Sequence, residues 1–251
     1  MSDLPRPVGD LVDELAALPG AIAVALGGSR ASGASDAVSD WDLGLYYRGG
    51  VDLTALRAHG DVHPPGAWGR LMNGGAWLRL GGDRVDVILR DLDTVDHWTG
   101  RALSGEFEVD ALLGYLAGVP TYFLTAELAS CRWLRGEIAA VPYPPRLAES
   151  APPRWRFCRT FSLEYARAHA RRGNRIGAIG QASKAVMEEA HALLCERRQW
   201  VCNEKRLIEA AGLSDVHRLF HDLPAAPEAL LAWVDRVAAV LSVESDRARS
   251  T

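Results

Sequence analysis

Apolar residues recur at helical spacing at Leu11, Val12, Leu15 and Leu18, which predicts a helix over 8–18 ended by Pro19-Gly20. The period then changes. Residues 21–26 form an unbroken apolar run, and 40–45 alternate strictly between polar or glycine positions and Trp41, Leu43 and Leu45, so strands are expected at 21–26 and 41–47. Residues 29–35 read as a short helix, 52–59 as another, and 60–69, rich in Gly, His and Pro, as a loop. Residues 76–80 and 84–90 flank Gly81-Gly82-Asp83 as a β-hairpin. An acidic opening after Arg90 begins a covering helix, and 123–134 carries Leu124, Leu128, Cys131 and Leu134 on one helical stripe. Residues 141–153 hold five prolines and read as a linker. Beyond them the pattern is helical throughout, over about 154–172, 175–199, 203–211, 214–221 and 227–243.

The alternation at 40–45 has a chemical consequence. Side chains two apart on a strand share a face, so Asp40 and Asp42 lie together, their Cα atoms roughly 7 Å apart, while Trp41, Leu43 and Leu45 are free to bury. Paired carboxylates repel unless a cation sits between them, and an oxygen-only set suits Mg²⁺, which takes one or two carboxylates and keeps room for phosphates and water. Upstream, Gly27-Gly28-Ser29 follows the first strand, where glycine backbone N–H groups and the Ser29 hydroxyl are suited to an anion. The two halves together describe a site for a metal-chelated nucleoside triphosphate. In Val85-Asp86-Val87 a third aspartate points away from its apolar neighbours, so all three carboxylates can share one sheet face.

The pattern of Gly28-Ser29, ten residues, then Asp40-Trp41-Asp42 and an apolar strand, with Asp86 on a later strand, resembles the signature of the nucleotidyltransferase superfamily that includes DNA polymerase beta. Its wording, "GGSRASG…SDWDLGLYY", is most similar to the bacterial aminoglycoside and lincosamide nucleotidyltransferases and the minimal nucleotidyltransferases. The resemblance implies an α+β fold: a polymerase-beta-like mixed sheet with flanking helices over 1–140, the linker at 141–153, and an all-helical bundle over 154–251 that binds the acceptor. It implies an enzyme that attaches a nucleoside monophosphate, most simply AMP from ATP, to a hydroxyl of a small molecule such as an antibiotic, with release of pyrophosphate and a role in antibiotic resistance. Asp40, Asp42 and Asp86 would be the catalytic and metal residues for two Mg²⁺ ions, with Asp86 also a candidate general base. Gly28, Ser29, Arg30 and Ser39 would contact the nucleotide. Transfer to a protein or RNA acceptor, as in toxin–antitoxin systems, and nucleotide binding without turnover are the alternatives. Some relatives complete the cleft with a second subunit, so a homodimer is within the expectation.

Of 28 basic residues only Lys184 and Lys205 are lysine; a position that stays Lys where Arg otherwise prevails suits a compact charge on phosphate, and both are candidate phosphate ligands. Lys205 lies in "CNEKRL", similar to an Asn-Glu-Lys stretch in the helical half of relatives. Gln181, Lys184, Glu188 and His191 form a polar stripe on the 175–199 helix, read as solvated or as lining a cleft. A cationic acceptor would need carboxylates, for which Glu106, Glu108, Glu127, Glu164 and Glu188 are sources. Trp41 and Trp77 are expected in the core and Trp68 on a ring-shaped ligand. The net charge of −4 gives no electrostatic case for nucleic acid. Four cysteines without metal or disulfide spacing are expected to be reduced and mostly buried, and the absence of an apolar leader or of an 18-residue apolar run predicts a cytoplasmic protein.

Overall fold

The computed structural model describes residues 4–31, 33 and 39–249. In chain order the elements are α1 (Arg6–Ala17), β1 (Ala21–Leu26), α2 (Gly28–Ala31), β2 (Trp41–Tyr47), a 3-10 turn (Thr54–Ala58), β3 (Gly60–His63), α3 (Gly69–Met72), β4 (Gly75–Leu80) and β5 (Asp83–Asp91). They continue with α4 (Leu92–Leu103), β6 (Val109–Asp110), β7 (Val119–Pro120), α5 (Phe123–Ser130), β8 (Arg132–Arg135), α6 (Pro145–Arg171), α7 (Arg175–Glu196), α8 (Leu207–Ala210), a second 3-10 turn (Ser214–Phe220) and α9 (Pro227–Arg249). Two compact units divide the chain: Met1–Gly100 with Leu124–Pro142, and Arg101–Phe123 with Tyr143–Thr251.

The first unit is a mixed sheet in the order β3-β4-β5-β2-β1-β8, with β2 and β5 parallel and every other pair antiparallel. One face is dry. Leu43 and Leu45 of β2, Val85, Val87 and Leu89 of β5, Ala76 and Leu78 of β4, and Val24 and Leu26 of β1 bury with Val8, Leu11, Val12 and Leu15 of α1. Each such side chain contributes about 1.5–3 kcal/mol, enough to fix the phase of the strands and so to send the alternate residues, Asp42 and Asp86 among them, to the other face. The β4–β5 hairpin turns on Gly81 and Gly82, whose φ values of +59° and +100° meet the demand of a tight two-residue turn, and Leu80 pairs with Asp83.

The second unit is helical apart from the short β6–β7 pair. A core of α6, α7 and α9, with Ala166, Ala170, Ala182, Val186, Leu193, Trp233 and Val237 fully or almost fully buried, sits beside a smaller cluster around Trp155 and Tyr122. The chain is therefore α+β as expected, a six-stranded mixed sheet with flanking helices and a helical C-terminal region.

Several local expectations differ. Gly60–His63, expected as loop, is the edge strand β3, created by its pairing with β4. The helix expected to Leu134 stops at Ser130, and Arg132–Arg135 instead pairs with β1, with Trp133 packed on Tyr46 at 5.1 Å. The prolines of 141–153 do not keep that stretch extended: α6 starts at Pro145, where a missing N–H is harmless, and takes in Pro152 and Pro153. The 203–211 helix shrinks to Leu207–Ala210. The helix expected over 29–35 is seen as Gly28–Ala31, and residues 32, 34 and 35 lie outside the described residues. Of the cysteines only Cys195 is buried; Cys131, Cys158 and Cys202 are partly exposed. Among the described residues no helix is long and apolar enough to cross a membrane.

Candidate active site

The site begins with register. Because β2 and β5 run parallel, Asp42 falls directly opposite Asp86, and Trp41 opposite Val85. Neighbouring strands lie about 4.8 Å apart, so the two carboxylates stand side by side on the face away from α1. Asp40 precedes β2 by one residue and shares their phase. The backbone of β1 carries the glycine turn to the same place: Gly27 N–H donates to the Asp42 carbonyl at 2.8 Å. Gly28 follows in the left-handed region at φ +61°, and a Cβ there would overlap the Asp42 carboxylate. Glycine is required twice over, for its conformation and for the space the aspartate takes.

The electrostatics follow from crowding. Burial, then the charge of Asp40, hold the Asp86 carboxyl above the ordinary aspartate range, and Arg84 only partly offsets them. Arg84, two residues before Asp86 and on its face, lies 3.5 Å from Asp40. Sequence reasoning missed this arginine, although the i, i+2 spacing to Asp86 was visible. Among the described residues no three acidic, histidine or cysteine side chains close on one point, so a divalent ion would rest on carboxylates taken two at a time, with phosphate and water completing its shell. The donor set fits Mg²⁺ because it is all oxygen.

Arg30, expected as a phosphate contact, has its guanidinium engaged within the turn. Its Nε donates to the carbonyls of Ser39 and Asp40 at 3.1 and 3.2 Å, a second nitrogen donates to Ser39, and the group lies 4.1 Å over the Trp41 ring. It holds the entry to β2 rather than presenting a free fork. Ser29 is half-buried on α2, and Ser39 is half-buried just before Asp40.

The first unit thus brings together Gly28, Ser29, Arg30, Ser39, Asp40, Asp42 and Asp86, whereas Lys184 and Lys205 belong to the second. Lys184 is 3.6 Å from Glu188. Lys205 is exposed, in a turn where its N–H donates to the Asn203 side chain. The stripe around Lys184 is not a solvated face at its far end. Glu188 and His191 are buried, His191 stacks on Trp155 at 4.3 Å, and burial alone pulls its imidazole pKa down to about 3, leaving it neutral. A polar stripe on a helix does not reveal whether water or another helix covers it, and here α6 does.

The tryptophans sort differently from expectation. Trp41 is core, but Trp77 is 51% exposed on the same face as Asp86, opposite which it pairs. The signal was available: in Ala76-Trp77-Leu78-Arg79-Leu80 the tryptophan shares its phase with Arg79, not with the leucines.

No protein-family model matches the chain, and no curated protein matches it in sequence. Among solved structures it is similar to a nucleotidyltransferase-like protein from Exiguobacterium sibiricum 255-15, with a TM-score of 0.44 and 16% identity over 95% of this chain and 73% of that one.

Proposed function

We propose that the chain is a Mg²⁺-dependent nucleotidyltransferase that moves a nucleoside monophosphate, AMP from ATP, to a hydroxyl of a small polyhydroxylated molecule. The observation that carries the reading is the in-register pair Asp42–Asp86 on parallel strands, with Gly28 leaving the space that the Asp42 carboxylate fills. An acceptor oxygen bonds to the α-phosphorus, the bond to the bridging oxygen of the β-phosphate breaks, and pyrophosphate leaves with that electron pair. Two Mg²⁺ ions, held by the carboxylates of Asp40, Asp42 and Asp86 taken in pairs, would lower the pKa of the attacking hydroxyl and offset charge on the triphosphate.

The chain's own groups do the rest. Asp86, at the edge of the carboxylate set away from the glycine turn, is proposed to take the acceptor proton. Backbone N–H groups at the glycine turn, with the Ser29 and Ser39 hydroxyls, are suited to phosphate oxygens. Arg30 fixes the turn through the carbonyls it binds. Lys184 and Lys205, the only lysines of the chain, are proposed as phosphate ligands on that ground.

Incubation with each α-labelled nucleoside triphosphate, Mg²⁺ and a panel of hydroxylated acceptors reads label transfer and pyrophosphate together. Asp42→Asn should lose both while keeping its unfolding midpoint. Near-normal turnover by a folded Asp42→Asn protein would refute the proposal.

A further inference from the structure

We infer that Trp77 is the platform on which the acceptor sits, and that the acceptor is an uncharged, polyhydroxylated ring; the inference rests on the nucleotidyl-transfer reading of Asp42 and Asp86. The placement comes from the register of four strands. Asp61 pairs with Trp77, Trp77 with Asp86, and Asp86 with Asp42, so the four form one row across the sheet on one face. At about 4.8 Å per strand, Trp77 stands about 5 Å from Asp86 and about 10 Å from Asp42. It lies on the side of Asp86 away from the glycine turn. A nucleotide on Gly28 and Asp42 leaves Asp86 as the boundary between the two substrates, and Trp77 as the first large side chain on the acceptor's side.

An exposed tryptophan on a sheet is unremarkable when it is loose, but Trp77 is held. Trp68 stacks on it with centroids 5.1 Å apart and planes at 22°, and His63 meets it at 4.6 Å and 64°. Trp68 reaches that position because Gly75 has no side chain: a Cβ there would come within 2.9 Å of the Trp68 ring. A rigid ring with half its surface open presents a ready apolar face at little ordering cost.

The lining gives the ligand's chemistry. Asp61, Trp77, Leu78, Arg79, Arg84 and Asp86 surround a depression of about 310 Å³, at the lower end for small-molecule sites and sized for one ring. Carboxylates only accept hydrogen bonds and guanidiniums only donate them, whereas a hydroxyl does both, so two Asp and two Arg around an apolar face match the edge of a polyol. Arg79 and Arg84 on the rim oppose a polycation. Four of the five glutamates that would draw one are already paired, Glu106 with Arg101, Glu127 with Arg90, Glu164 with Arg167 and Glu188 with Lys184.

The test uses the full chain saturated with Mg²⁺ and a non-hydrolysable ATP analogue, whose own binding is measured first by calorimetry. Myo-inositol, methyl α-glucopyranoside and the dicationic 2-deoxystreptamine are then titrated while the indole N–H resonance of Trp77, identified by its loss in Trp77→Phe, is followed. The two neutral rings should shift that resonance. Trp77→Ala should weaken their binding about tenfold, the factor that ~1.4 kcal/mol produces, and Trp77→Phe should keep most of it, with the nucleotide's affinity unchanged in both. Three results each overturn the inference and leave the nucleotidyl-transfer reading standing: neither neutral ring binds, 2-deoxystreptamine is preferred, or Trp77→Ala binds like wild type. Failure of the wild type to bind the Mg²⁺–nucleotide overturns that reading, and the inference with it.

Discussion

Replacing Gly28 with alanine separates the two demands made on that residue. At φ +61° an L side chain costs about 1–2 kcal/mol in the backbone alone, which at roughly 2–4 °C per kcal/mol lowers the unfolding midpoint by about 2–8 °C. The added Cβ also overlaps the Asp42 carboxylate and stands 2.8 Å from its Cγ, where carbon atoms settle at about 3.5–4.0 Å, so the carboxylate must move by roughly 1 Å. A displacement of that size at a reacting centre lowers turnover on the order of a hundredfold. Gly33 supplies the control: its φ is +70°, and among the described residues, its chain neighbours aside, no atom lies within 4 Å of a Cβ built there. Gly33→Ala should therefore lose stability by a similar amount and keep activity. Thermal unfolding and pyrophosphate release with Mg²⁺, ATP and a hydroxylated acceptor, measured on both variants, decide the matter. Equal activities in Gly28→Ala and Gly33→Ala would refute the claim that the glycine turn exists to admit the Asp42 carboxylate.

Asp86→Asn should abolish transfer yet raise the unfolding midpoint at neutral pH. The carboxyl's pKa is raised in the folded state, so the native protein holds its proton at a pH where the unfolded chain has lost it; stability attributable to this group falls as pH rises from the unfolded aspartate value near 3.9 through the raised one. The gain from the amide should accordingly shrink toward zero at acid pH, and a midpoint difference independent of pH would contradict it. In the second unit Glu189 is fully buried between Arg156 and Arg159, at 3.2 and 2.6 Å. Burial lifts its carboxyl above the usual range even against both guanidiniums. Glu189→Ala should cost about 3–5 kcal/mol by chemical denaturation, because it leaves Arg159, whose side chain is only 15% exposed, without its partner; a loss below 1 kcal/mol would show that water reaches the pair.

What the sequence disclosed was local and periodic. Alternation in β2 placed Asp40 and Asp42 on one face, and the glycine pair after β1 placed the turn, because both follow from spacing along one segment. The in-register match of Asp42 to Asp86 was only partly legible: the phase of each strand was readable, but which residue faces which depends on pairing between distant segments. The same holds for Arg84 against Asp40, and for β3, whose four residues carry no apolar pattern and become a strand only through β4. Trp77 was misassigned on residue type although its phase with Arg79 pointed outward. Glu188 and His191 were misjudged for a different reason, since a polar stripe is consistent with water until a neighbouring helix is known to cover it.

On the proposed function, Asp42 and Asp86 take a nucleoside triphosphate through a divalent ion. Calorimetric titration of each triphosphate into wild type and Asp42→Asn, with Mg²⁺ and with a chelator, tests it without any knowledge of the acceptor. At least one triphosphate should bind the wild type with Mg²⁺, and that binding should be lost both in the chelator and in Asp42→Asn. Binding of equal strength in all three conditions, or none to the wild type, would contradict it.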